Sequence, residues 1–223
     1  MDGSLFCANS FQVSMDRSAL LDQLLATDTY DIAIIGGGAT GLGVALDATL
    51  RGYKVVLLEA HDFAKGTSSR ATKLVHGGVR YLAQGNLSLV KEALHERGVL
   101  LHNAPHIAQP LAFVMPSYKW WETAFYGIGL MIYDLLAGKS AIGSTEFLSK
   151  EQVLERLPEV QSKGLRGGVQ YWDGQFDDAR LAIEIARTAQ SKGAHLLNYC
   201  TVESILHQHE KVNRKSTRLN SSH

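Results

Sequence analysis

Residues Tyr30 to Glu59 read YDIAIIGGGATGLGVALDATLRGYKVVLLE, and the order of residue types along this stretch decides the fold. Ile32 to Ile35 is an unbroken apolar run, as expected of a fully buried parallel strand. Gly36, Gly37, Gly38, Ala39, Thr40 and Gly41 follow as a G-x-G-x-x-G pattern. Leu42 to Leu50 carries apolar residues at helical spacing, and Lys54 to Leu58 is a second buried strand closing on Glu59. Each part has a physical task. Gly36 allows a tight turn, Gly38 lets a pyrophosphate approach the backbone, and Gly41 packs helix against strand. The free N–H groups and positive dipole end of the helix then hold the phosphate charge. Glu59, about 20 residues past the glycines, is placed to accept hydrogen bonds from an adenosine ribose. A glycine pattern alone also fits an ordinary βαβ turn. Strand, glycines, helix, strand and terminal acid together specify a dinucleotide site.

The bulk properties set bounds around this unit. At 223 residues the chain holds one large domain or two small ones and buries a real core. Hydrophobic residues make up 45% and charged residues 20%, an ordinary balance for a soluble globular protein. Lys plus Arg and Asp plus Glu are 22 each, so no basic field points to nucleic acid. Two cysteines, Cys7 and Cys200, fit a reducing compartment better than a disulfide framework. A secretory signal and an uncharged apolar run of about 18 residues are both missing, so the expected location is cytoplasmic, without a spanning helix.

Outward from the glycine unit, residues 1–29 form a leader with a short helix over Ser14 to Ala26, its Leu20, Leu21, Leu24 and Leu25 on one face. Leu87 to His102 predicts an amphipathic helix, and Pro110 to Pro116 a strand in a different sheet. Lys119 to Lys139 is the most apolar stretch. Its Trp120, Trp121, Tyr126 and Tyr133 are favoured at membrane interfaces, so it is either a helix packed on its own domain or a surface that touches lipid. Ser149 caps a short helix to Leu157, with Gln152 three residues on. Gly167 to Trp172 reads as a strand, and Asp177 as the cap of a helix from Asp178 to Lys192 that ends at Gly193. His195 to Cys200 and Val202 to His207 complete the strands. The fold class is therefore α/β. A Rossmann-like nucleotide domain (30–105 and 177–212) is interrupted by a substrate-side region (106–176). The last residues, 213–223, have no apolar periodicity. They are expected to be a non-native tail of sequencing-adapter origin on a partial chain whose own frame ends near Val212.

The loop after Glu59 narrows the ligand. Thr67, Ser68, Ser69 and Thr72 offer hydroxyls and Lys73 a cation, suited to a pyrophosphate held from the side opposite the helix. Read alone, the same residues make an ordinary polar surface loop. His76, Gly77 and Gly78 let backbone come close to a flat ring, because glycine lacks the Cβ that would collide. An acid at Glu59 disfavours a ribose 2′-phosphate, hence NADP. With the second loop, the balance tips to FAD. His76 could equally be a hydrogen-bonded core histidine, and Arg80 a surface or ion-pair residue. Asp177, Asp178 and Arg180 read as a helix cap and a local ion pair.

Four stretches carry a resemblance: IIGGGATGLGVALDATLRGYKVVLLEA, TSSRATKLVHGGVRYL, VKEALHERGVLLHNAPH and YWDGQFDDARL. Over Asp31 to Glu203 the chain resembles the FAD-dependent, membrane-associated glycerol-3-phosphate dehydrogenases. The resemblance implies an FAD domain of the glutathione-reductase type and a substrate region built on an antiparallel sheet. It implies oxidation of sn-glycerol 3-phosphate to dihydroxyacetone phosphate, with electrons passed to membrane quinone. It assigns Gly36 to Gly41, Glu59, Ala60, Thr67, Ser68, Ser69, Lys73, Leu74, His76, Gly77 and Val202 to FAD, and Arg80 and Tyr81 to substrate. His76 is the one residue named as the base that takes the hydroxyl proton during hydride transfer to flavin; no metal ligand is assigned. The remaining partners implied are a membrane surface, on the inner face of the cell membrane, and a second copy of the chain. Other members of the wider superfamily, glycerol-3-phosphate oxidase or amino-acid oxidase, and a non-catalytic nucleotide-binding module are the competing functions.

Overall fold

The computed structural model describes residues 17–82, 84–208 and 211–219, with the backbone alone described at Arg80, 206–208 and 211–219. In chain order the elements are α1 (Arg17–Ala26), β1 (Ile32–Ile35), α2 (Ala39–Leu50), β2 (Val55–Leu58), β3 (Leu74–Val75), α3 (Val79–Leu82), α4 (Leu87–Asn103) and β4 (Ala108–Ser117). There follow α5 (Glu122–Ala137), β5 (Glu146–Ser149), α6 (Lys150–Arg156), β6 (Gly167–Phe176), α7 (Asp178–Ser191), β7 (His195–Leu197), β8 (Cys200–Gln208) and β9 (Lys211–Leu219). Two compact units result. The first joins the chain up to Ala71 with everything from Asp178 onward, and the second is Thr72–Asp177.

The first unit is built on a parallel sheet in the order β1-β2-β7. Its central strand, Val-Val-Leu-Leu, is buried at every position, which is why the sequence shows a continuous apolar run there rather than alternation. Val55 and Leu57 enter one core with Leu42, Ala45 and Ala48 of α2 and Ala182, Ala186 and Ala189 of α7. Val56 and Leu58 face the other way, into a cluster with Leu197 and Cys200 against Leu20, Leu21 and Leu24 of α1. The small alanines let the two helices approach each other and the sheet closely. One expected strand is divided: β7 stops at Leu197, Tyr199 turns the chain in the left-handed region (φ +50°), and β8 begins at Cys200. The Arg17 guanidinium fixes this break by donating to the carbonyl and side-chain oxygens of Asn198 at 2.7 and 3.0 Å. The segment read as a non-native tail runs, as far as Leu219, as β9 paired antiparallel to β8. Backbone pairing of this kind needs no apolar periodicity.

The second unit carries an antiparallel sheet, β3-β6-β4, with β5 also on β6. The long pair β4 and β6 runs in register from Ala108 opposite Phe176 to Ser117 opposite Gly167. Val90 and Leu94 of α4 and Tyr133 and Ala137 of α5 form a common cluster. Ser149 and Gln152 make the reciprocal capping box that the spacing predicts. Residues 72–105, expected in the nucleotide domain, group by compactness with this unit. The cause is long-range: β3 pairs with β6, a partner about a hundred residues distant that local patterns do not reveal.

Helix α5 serves two surfaces. Leu130, Tyr133 and Ala137 are buried on their own unit, whereas Phe125, Ile128, Ile132 and Leu135, three or four residues apart, are exposed on one face. Trp120 and Leu135 are each 81% exposed. Among the described residues, no helix is long and apolar enough to cross a membrane.

Candidate functional site

The glycine turn of the first unit has the geometry its sequence requires. Gly36 adopts φ +107°, a region closed to most side chains. A Cβ on Gly41 would run into the carbonyl oxygen of Gly36, so close packing of α2 on the turn demands glycine. Gly37 has its own reason, one not read from the sequence: a Cβ there would lie 2.5 Å from the Phe63 ring. Around Gly38 a Cβ would meet nothing within 4 Å. That free space faces a helix start with no side-chain cap, so the first-turn N–H groups of α2 are left for a ligand. The cleft here is lined by Ile34 to Gly36, Gly38 to Gly41, Val44, Gly66, Thr67, Ser68 and Asp178. Of its expected phosphate hydroxyls it gathers Thr67 and Ser68. Ser69 is committed elsewhere, donating from Oγ to the Ala64 carbonyl at 2.6 Å.

An adjoining cleft shares Gly38 and Gly66 and adds Glu59, His61, Asp62, Ala64, Lys65 and Arg70. Glu59 is locked by backbone: its Oε2 accepts from Gly37 N at 2.6 Å and its Oε1 from His61 N at 2.8 Å. A carboxylate oxygen has a second lone pair, so the carboxylate is oriented without being exhausted as a ribose acceptor. Ala60 follows it outside the cleft-lining set. Val202, whose backbone the resemblance sets beside an adenine, packs its side chain against the Val56 and Leu58 cluster. Lys73 lies in the second unit and pairs with Asp177 at 3.5 Å.

A separate pocket of about 340 Å³ belongs wholly to the second unit. It is lined by Leu74, His76, Gly78, Val79, Tyr81, Phe113, Tyr171 and Asp173. Phe113 and Tyr171, directly opposite each other on β4 and β6, stack with ring centroids 5.3 Å apart. Burial, and then the charge of Asp173, push the Tyr171 phenol above its ordinary pKa. His76 is exposed at the rim. The Arg80 side chain lies outside the described residues. Gly77 meets a packing demand as well: a Cβ there would strike Leu94 and the Tyr133 hydroxyl.

The sequence reading missed the buried group beneath this pocket. Asp173 Oδ1 accepts from Arg97 Nη1 at 2.9 Å, Gly174 N at 3.2 Å and Gly77 N at 3.3 Å, and Oδ2 accepts from the Tyr133 hydroxyl at 3.0 Å. Arg97 also reaches the carbonyls of Ser140 and Trp172. Burial first, then Asp173, holds the Tyr133 phenol far above its ordinary range. One signal was there to find: Arg97 continues the apolar stripe of Val90 and Leu94 on α4, at a position that otherwise faces the core.

A family model described as FAD dependent oxidoreductase matches residues 31–221. The chain belongs to that family. A mitochondrial glycerol-3-phosphate dehydrogenase of Macaca fascicularis is 50% identical over 197 residues, 85% of this chain and 27% of that protein. One from Arabidopsis thaliana is 45% identical over 204 residues, 86% of this chain and 32% of that protein. Among solved structures, the glycerol-3-phosphate dehydrogenase of Bacillus halodurans complexed with FAD matches with a TM-score of 0.65 and 32% identity, covering 90% of this chain and 34% of that one. The chain thus spans about a third or less of the relatives it matches. FAD is the cofactor of this flavoenzyme family, and the first unit suits it: open space at Gly38, uncapped N–H groups and an oriented Glu59 fit a dinucleotide's pyrophosphate and ribose.

Proposed function

We propose that this chain forms part of an enzyme that oxidises sn-glycerol 3-phosphate to dihydroxyacetone phosphate and passes the electrons to a membrane quinone. The observation that carries the reading is the likeness to the glycerol-3-phosphate dehydrogenases, half the residues across 85% of the chain. A shared cofactor alone does not require so much.

On this reading Gly38 and the first turn of α2 receive the pyrophosphate, Thr67 and Ser68 close on it, and Glu59 accepts from the ribose. The pocket of the second unit takes the three-carbon substrate. Its aromatic walls, Phe113 and Tyr171, exclude water, Tyr81 borders the polyol, and Arg80 is the phosphate ligand. Asp173 is unsuited to act as a base, because both of its oxygens already accept hydrogen bonds and Arg97 balances its charge. His76, exposed at the rim, is the group proposed to take the hydroxyl proton. FAD, when bound, supplies acceptance of the hydride.

The test is dye reduction by the longer protein containing this chain, with glycerol 3-phosphate as donor, compared with its His76→Ala variant. Turnover that falls in the variant by about a hundredfold or more supports both the reaction and the base. Turnover with an amino acid and none with glycerol 3-phosphate would overturn the reading. The 223 residues alone are expected to turn over weakly or not at all.

A further inference from the structure

We propose that Lys65 and Arg70 are the counter-charges of the dinucleotide's pyrophosphate. The inference rests on the assignment of FAD to the first unit. A pyrophosphate brings two negative charges to a turn whose glycines offer N–H groups and no side-chain charge. The adjoining cleft adds Glu59 and Asp62 to its walls, so the side-chain field is repulsive unless cations offset it. Among the lining residues the permanently charged cations are Lys65 and Arg70.

Their loop is held against the phosphate turn. Ala64 N donates to the Gly37 carbonyl at 3.0 Å, Ser69 Oγ to the Ala64 carbonyl at 2.6 Å, and Arg70 N to the Thr67 carbonyl at 2.9 Å. Ala64 is buried and sits at φ +62°. A residue with a Cβ pays for that left-handed conformation, and such strain persists where the surroundings over-determine it, often at ligand clamps. The two cations therefore ride on a preformed loop rather than on a free segment. Among the described residues neither is in an ion pair, in contrast to Lys73, the cation that the sequence suggested for this task.

The purified chain and its Lys65→Gln, Arg70→Gln and double variants decide the matter by titration with FAD, ADP and adenosine. Both side chains are exposed, so the thermal midpoint should not change. Each single variant is expected to weaken FAD and ADP by about fivefold, and the double variant by roughly 25-fold. Adenosine affinity should stay the same, and the salt dependence of FAD binding should become shallower. Lys65→Arg with Arg70→Lys should bind within about twofold of the parent. FAD affinity unchanged in the double variant would overturn the proposal, as would an equal loss for adenosine. A parent chain that binds neither FAD nor ADP would sink it together with the cofactor assignment.

Discussion

Arg97 and Asp173 form an ion pair in the interior of the second unit, Nη1 to Oδ1 at 2.9 Å, with both side chains almost wholly buried. Neither charge reaches water. Removing one partner strands the other, so Asp173→Asn should lower unfolding free energy by about 3–5 kcal/mol. The Asn amide oxygen still accepts from Gly77 N–H, so the turn that carries His76 should hold. Urea unfolding measures the loss. Tyr133→Phe, which deletes one hydrogen bond and no charge, should cost only about 1 kcal/mol. Equal losses in the two variants would contradict this account.

Two glycines three residues apart should respond to alanine in opposite ways. Gly41→Ala drives a Cβ into the Gly36 carbonyl, and is expected to destabilise by about 1–3 kcal/mol because backbone has no rotamer to escape to. At Gly38 the added methyl meets open space and φ is −81°, so the fold should survive. FAD affinity should then drop in Gly38→Ala, where the methyl occupies the approach of the pyrophosphate. Melting curves with and without FAD separate the two outcomes.

The outward face of α5 is a testable lipid contact. Both acids of the helix are turned to backbone: Glu122 accepts from Tyr118 N and Lys119 N at 2.8 and 2.9 Å, and Asp134 from Thr145 N at 2.7 Å. Lys119 lies over the Trp121 ring at 5.6 Å. Replacing Trp120 and Trp121 by Ser should reduce co-sedimentation with anionic liposomes several-fold, roughly the loss of two interfacial aromatics. Unchanged co-sedimentation would assign the face to protein contact or to solvent.

His195 predicts an acid weakness. Partial burial lowers its pKa, and its Nδ1 shares a 2.5 Å hydrogen bond with the Tyr30 hydroxyl. The folded state therefore binds the proton less readily than the unfolded chain does. Stability from this group is complete above the unfolded value of about 6.5. It declines as pH falls below that, until the folded-state pKa is passed. The thermal midpoint should drop between about pH 7 and pH 5, and His195→Gln should show a smaller drop over the same range. Parallel curves would exclude His195 as the cause.

Local chemistry was legible where neighbours in sequence determine it. Ile32–Ile35 has the predicted bounds, though not the predicted burial, since Ile35 is 55% exposed at the strand's end; the turn glycines meet the clashes or open space expected of them, and Ser149 caps with Gln152. What escaped depends on distant partners. Gly37 is explained by Phe63, Gly77 by Leu94 and Tyr133, and residues 72–105 change unit because of the pairing with β6. The buried Arg97 and Asp173 are 76 positions apart, and only the charge on an apolar helix stripe hinted at them. No periodicity reports a partner at that range.

The second unit leaves and rejoins the first at two points, and its ends are clasped: Phe176 N donates to the Lys73 carbonyl at 3.0 Å, and Lys73 pairs with Asp177. An inserted segment whose ends meet costs its host little more loop-closure entropy than a tight turn. That makes residues 72–177 a removable cassette. A short glycine linker from Ala71 to Asp178 would leave the parallel sheet its own strands, and the excised piece, already closed on itself, is a natural candidate for separate expression and circular permutation.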